Sequence, residues 1–273
     1  MDAKIWMTKC ILLQQEQEVK SQSESTFGLN KNGFCDFAID GIELLIQGIH
    51  YLRNTDDTLD GDGNYKNFNM AIRTYSFYHF YRTIFQFKAI YNLWIVGYYT
   101  EAAILLRSIF EALVKLKYLK TQENVNLINL AFVGHTGIDG EKFRVTNKTM
   151  FDSISEELYD YYRLLCDMTH GTMAGHLLKS QTANNDAGFV LDIGVSFREN
   201  ESSFITNQFA PLLLAHLEFM FHIFPEIRMN MDERYASKYH EVISVLYRVM
   251  NDFKESPKNY KWYSTISKLI RFI

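Results

Sequence analysis

The chain has 273 residues, 47% hydrophobic and 22% charged, which is the balance of a globular protein with enough length to bury a sizeable core. A formal net charge of −4 excludes a protein that coats nucleic acid or an anionic membrane over its whole surface, while leaving room for a local basic site. The three cysteines, Cys10, Cys35 and Cys166, are odd in number and far apart, which suits reduced thiols in a cytoplasmic chain better than a disulfide framework or a zinc site.

In chain order, the opening MDAKIWMTKCILLQQ carries an acid at Asp2 and only a short apolar run, so it does not read as a signal peptide. The following QQEQEVKSQSES is polar enough to predict a loop or frayed helix, with residues 1–32 a loosely packed extension of a single domain spanning 1–273. Between Phe34 and Leu52, the apolar residues Phe37, Ile42, Leu45, Ile49 and Leu52 recur at helical spacing. Residues 54–64 form a loop whose aspartates lack the closing glutamate of a calcium-binding loop.

Asn69 to Trp94 then predicts a long helix, apolar nearly all round and therefore central, with its tyrosines and phenylalanines as core rather than as a base-stacking platform. His79, Arg82 and Lys88 interrupt its greasiest part, which argues against a membrane span. After Gly97, Thr100 is the expected N-cap of a further helix whose seam is Ala102, Leu106, Ile109, Leu113 and Leu116. Arg107 and Glu111 lie one turn apart on roughly the opposite side. They form either an exposed ion pair or a buried pair that orients a site on a neighbouring helix.

Residues 121–153 read as irregular, and Ser153 or Ser155 caps a helix from Glu156 that ends near Gly171. The segment FVLDIGVSF alternates well enough to predict a small β-hairpin near residues 188–198, turning at Asp192–Gly194. Helical pattern returns from Phe204 to Phe224, stops at Pro225, and resumes from Glu233 to Phe253. A basic, aromatic C-terminal helix follows. The fold class expected is mainly α, a helical bundle with that hairpin as an insertion.

Chemistry concentrates in EELYDYYRLLCDMTHG, residues 156–171. At about 100° per residue, Leu158, Tyr161, Leu164, Leu165 and Met168 gather on one side, and Glu156, Arg163, Asp167 and His170 on the other. A guanidinium such as Arg163 can hold a phosphodiester by paired hydrogen bonds, and an imidazole such as His170 can move the proton of a ribose 2′-hydroxyl. Those parts suffice for metal-independent RNA cleavage. The plainer reading is a solvated polar face, and the acids Glu156 and Asp167 beside the arginine would repel a phosphate backbone. Asp167 can also orient Arg163 or His170.

Arg163-LLCDMT-His170 fits the R-x4–6-H pattern of the HEPN superfamily of helical proteins. LLRSIFEALVKLKYL, residues 105–119, together with the Tyr-rich helix ending in THG, also resembles an uncharacterised bacterial helical family over roughly residues 70–225. The HEPN resemblance implies a homodimer in which two Arg163–His170 pairs build one composite ribonuclease site, as in toxin–antitoxin and phage-defence proteins, with RNA as substrate and an antitoxin or other protein as partner. Arg163 would then bind the scissile phosphate and His170 serve as acid or base, supported by Asp167, Arg107 and Glu111. Other HEPN members bind nucleotides or proteins without catalysis, in which case Arg107, Glu111, Arg163 and His170 would form a structural cluster between helices. Leu164 departs from the polar residue often found after the arginine. A metal hydrolase built on His170, His176, Asp167 and Glu111 lacks any HExxH or CxxC spacing, and neither GxxxxGK[ST] nor GxSxG occurs, so no metal or cofactor is expected.

Overall fold

A computed structural model describes residues 3–28, 33–52, 64–133, 142–169 and 195–255. They form α1 (Ala3–Phe27), α2 (Phe34–His50), α3 (Phe68–Ile95), α4 (Tyr99–Gln122), α5 (Val125–Val133), α6 (Asn147–Asp152), α7 (Glu156–Thr169), α8 (Glu199–Ile223), α9 (Glu226–Asn230) and α10 (Glu233–Glu255). No β-strand occurs among the described residues. None of their helices is long and apolar enough to cross a membrane.

Helices α3 and α8 pack on each other, and each also touches α2 and α4. Asn67 starts α3 by accepting from the backbone N–H groups of Asn69 and Met70, at 2.8 and 3.2 Å. Aromatic rings join the layers. Phe209 of α8 stands edge-on to Phe34 of α2 and Phe87 of α3, with centroids 5.5 and 5.0 Å away. Trp94 meets Phe34 at 5.1 Å and Phe27 at 5.6 Å, and its indole N–H donates to Ser202 Oγ at 2.8 Å.

Helix α2 lies against α8 and α10 through two glycines spaced seven residues apart. A Cβ at Gly41 would lie 2.5 Å from Leu213 Cδ2 and 3.4 Å from Val242 Cγ1. At Gly48 it would strike the Met220 thioether and lie 3.2 Å from Tyr235 Oη. The rising pairs 41/213 and 48/220 make α2 and α8 parallel, while 41/242 and 48/235 make α10 antiparallel to α2.

Several expectations change. Residues 195–198 belong to no helix or strand; Val195 is buried where the α3–α4 corner turns at Gly97, whose φ is +93°, so a helix corner rather than a second strand covers this part of the expected hairpin. The rest of that hairpin lies outside the described residues, as do the aspartate-rich loop from 54 to 63 and the C-terminal segment beyond 255. The polar stretch before Phe27 is helical throughout, because Val19, Ser23 and Phe27, spaced by four, give α1 a narrow buried edge. The region 121–153 holds α5 and α6. Thr100 is buried inside α4 instead of capping it, and the chain enters that helix through Tyr98, whose hydroxyl donates to Glu16 at 2.7 Å. Ser153 serves the preceding helix: its hydroxyl donates to the Met150 carbonyl at 2.7 Å.

The aromatic content of α3 is divided. Phe80, Phe87, Tyr91 and Trp94 are core, but Tyr78, Tyr81 and Phe85 are exposed. The same face is covered further back along α3 by α5, whose Phe132 meets Tyr75 at 5.2 Å, and no described helix continues that cover past Tyr75.

His79 of α3 and His216 of α8 stack in parallel within the core, centroids 5.3 Å apart and planes 6° from each other. His216 Nδ1 pairs with the Leu212 carbonyl at 2.7 Å, whereas neither Nε2 reaches a partner among the described residues. Burial pushes His216 down to about 4, and burial followed by the His216 and Arg82 charges pushes His79 well below its ordinary value. Since the folded pKa values are depressed, the unfolded chain binds more protons below its own value of about 6.5, and stability falls as pH drops from there toward 4. Between pH 6.5 and 5, above the ordinary carboxylate range, His216 alone should account for roughly 2 kcal/mol. Scanning calorimetry across that interval should show the melting temperature falling, with a flatter slope in His216→Leu.

Candidate functional site at the α4–α7 seam

Helix α7 packs along α4, with α6 closing one end. Leu158, Tyr161 and Leu165 form the buried edge of α7, as the apolar periodicity requires. Tyr161 stands edge-on to Phe110 of α4 at 5.2 Å and its hydroxyl donates to Gln208 Oε1 of α8, which ties α7 to the central layer. Thr146 caps α6 by accepting from the Thr149 backbone N–H at 3.2 Å, holding Asn147 at the mouth of the seam.

Arg107 and Glu111 both turn toward α7. The Arg107 guanidinium donates through Nη1 to Cys166 Sγ at 3.8 Å, and Glu111 Oε2 accepts from the Tyr162 hydroxyl at 3.2 Å. Asn147 Nδ2 donates to the same Tyr162 oxygen at 2.9 Å. The pairs 107/166 and 111/162 show the two helices running antiparallel with matched one-turn spacings. Tyr162 also lies against Phe151 at 4.8 Å. Its phenol is held protonated well past the usual range by burial first, then by the hydrogen bond with Cys166 and the negative charge of Glu111. Beyond Glu111, Lys115 lies over the Phe143 ring at 4.3 Å; burial lowers its pKa, and the Glu111 carboxylate offsets part of that drop.

Arg163 follows Tyr162 in sequence but points outward. It is exposed, with no hydrogen bond or ion pair to another described residue, and Glu156, Asp160 and Asp167 are exposed on the same helix. His170 and His176 lie outside the described residues, so Arg163 and His170 are not seen together. No group of three or more metal-ligating side chains occurs among the described residues. Tyr162, Cys166 and Asn147 were not singled out from the sequence. The available signal was the four-residue step from Tyr162 to Cys166 at the border of the apolar edge, matching the step from Arg107 to Glu111.

Residues 73–154 match the model of a family of unknown function (DUF5677). The matched stretch runs from Arg73 in α3 to the residue before Ser155, within the 70–225 region where the family likeness was expected. It contains Arg107, Glu111 and Asn147 and ends before α7. No curated protein and no solved structure matches the chain.

As arranged, the seam is a hydrogen-bonded network contributed by three helices. Tyr162→Phe should cost about 1–3 kcal/mol, because it leaves a half-buried carboxylate and an amide without their shared hydroxyl. Thermal unfolding followed by circular dichroism should show a drop of several degrees, against almost none for Tyr159→Phe on the neighbouring turn.

Proposed function

We propose that this chain is a helical binding module, without catalysis at the seam, in which Arg107, Glu111, Tyr162 and Cys166 fix α7 against α4. The observation that carries this reading is that Arg107 and Glu111 both engage α7, with Glu111 joined through Tyr162 to Asn147 of α6. A half-buried network of this kind is lost as a unit when one member is removed, since the others stay behind without partners. The likeness to HEPN proteins that bind nucleotides or proteins without catalysis fits the same reading.

A second reading is favoured by one feature, the exposed Arg163 guanidinium, which has no partner among the described residues. In that reading the chain is a HEPN-like homodimeric endoribonuclease in the cytoplasm, with Arg163 on the scissile phosphate, His170 as acid or base, and an antitoxin or other protein as regulator. Asp167 would orient these groups, and Arg107 and Glu111 would support the helix that carries them.

Paired variants separate the two. The module reading expects Arg107→Ala to lower stability by about 1.5–3 kcal/mol, as for loss of a charged hydrogen-bond donor, and Arg163→Ala to change it by less than about 0.5 kcal/mol. It also expects no cleavage of a mixed RNA pool by the purified chain. If the chain cleaves RNA, and Arg163→Ala and His170→Ala each abolish cleavage at unchanged melting temperature, the nuclease reading replaces it.

A further inference from the structure

Tyr78, Tyr81 and Phe85 are 59%, 52% and 60% exposed, on a helix whose other large aromatics are mostly buried. Their spacings of three and four residues put them in one row along the outer face of α3. Arg82 and Lys88 are exposed in the same row, and α3 contains no aspartate or glutamate at all. No ion pair engages Arg82 among the described residues. Toward the far end of the row, Asp36 and Glu24 face Tyr91 and Cys35. There Lys88 lies over the Tyr91 ring at 5.3 Å. Within a chain of net charge −4, this is a local surface of rings and cations.

We infer that this row on α3 is a docking surface for single-stranded nucleic acid, with bases on the Tyr78, Tyr81 and Phe85 rings and phosphates on Arg82 and Lys88. This deepens the binding-module reading and rests on it, since it names the ligand class for a face of the bundle other than the α4–α7 seam. Charge complementarity selects the occupant. Aromatic rings attract any apolar partner, but cations interleaved with them on a helix that carries no acid suit a polyanion whose bases offer flat faces. The axial steps between successive rings are about 4.5 and 6 Å, short of the roughly 6.8 Å that a base sandwiched between two parallel rings takes, so bases would stack on the outward faces of the rings. Tyr81 and Phe85 stand edge to face at 5.2 Å and 72°, so the pair presents two differently directed ring surfaces. A second copy of the chain is a poorer occupant. An antiparallel pairing of two α3 helices centred on Phe85 would put Arg82 of each copy opposite Lys88 of the other, with no acid on α3 to neutralise them.

The test is fluorescence anisotropy of the full chain with a labelled oligouridine, alongside a duplex RNA and anionic phosphatidylglycerol vesicles. Oligouridine should bind, and the duplex should bind more weakly because its bases are not free to stack. Tyr81→Leu with Phe85→Leu keeps apolar area but removes both ring faces, and should weaken binding by about 25-fold or more. Tyr81→Phe should bind like the parent. Arg82→Gln should reduce the slope of log affinity against log salt by about 0.7. The three substituted side chains, Tyr81, Arg82 and Phe85, are exposed, so melting temperatures should hold, and Tyr162→Phe at the seam should alter stability without altering this affinity. Absence of oligouridine binding overturns the inference while leaving the seam's structural role standing. Undiminished binding by the double Leu variant also overturns it. So do binding to the vesicles alone and conversion of a dimer to a monomer by the same substitutions.

Discussion

Phe209 touches two other helices edge-on at once, Phe34 of α2 and Phe87 of α3, and much of the molecule follows from that one ring. An edge-to-face contact is directional as well as apolar, so it sets how the helices are rotated about their axes and not only that they touch. Trp94 extends the arrangement to α1 through Phe27 and to α8 through Ser202. With α3 and α8 set in this way, α4 fills the groove beside both, and α7 is laid on α4. The polar seam exists where it does because the aromatic core fixes the face that α4 turns outward.

Much of this architecture is visible in the chain as a pattern. Helices α2, α3, α4, α7, α8 and α10 each carry apolar residues at helical period, and the scarcity of proline lets them run long. Helix α1 escapes because a helix needing only Val19, Ser23 and Phe27 to touch the core leaves no broad apolar stripe in a polar sequence. Helix α5 escapes for the opposite reason: VNLINLAFV is a short, almost uniformly apolar run without a clear period. The hairpin expectation rested on alternation, but alternation cannot tell a paired strand from an irregular segment docked on a helix corner, as residues 195–198 are. In α3, periodicity marks every apolar side as core, whereas the length of α5 decides which rings are covered and which meet solvent.

At the seam, the spacing of Arg107 and Glu111 is legible, but their destination is not. One residue along α7 is about 100° of rotation, and that step separates Tyr162, turned toward Glu111, from Arg163, turned to solvent. Which of the two faces α4 depends on the docking of Tyr161 and Leu165, a tertiary fact. The seven-residue step from Arg163 to His170 directs attention to those two side chains, while the interactions seen along α7 belong to Tyr162 and Cys166 on an adjacent face.

The two bare positions on α2 have a further consequence. Gly41 and Gly48 are two helical turns apart, as are Leu213 and Met220, so the helices mesh like a key with two notches. A slide by one turn would bring Leu213 against Leu45, a bulky side chain with no recess to receive it. Register between α2 and α8 is thereby coded by missing atoms, and the two glycines are free to drift in evolution only together with the side chains that fill their places.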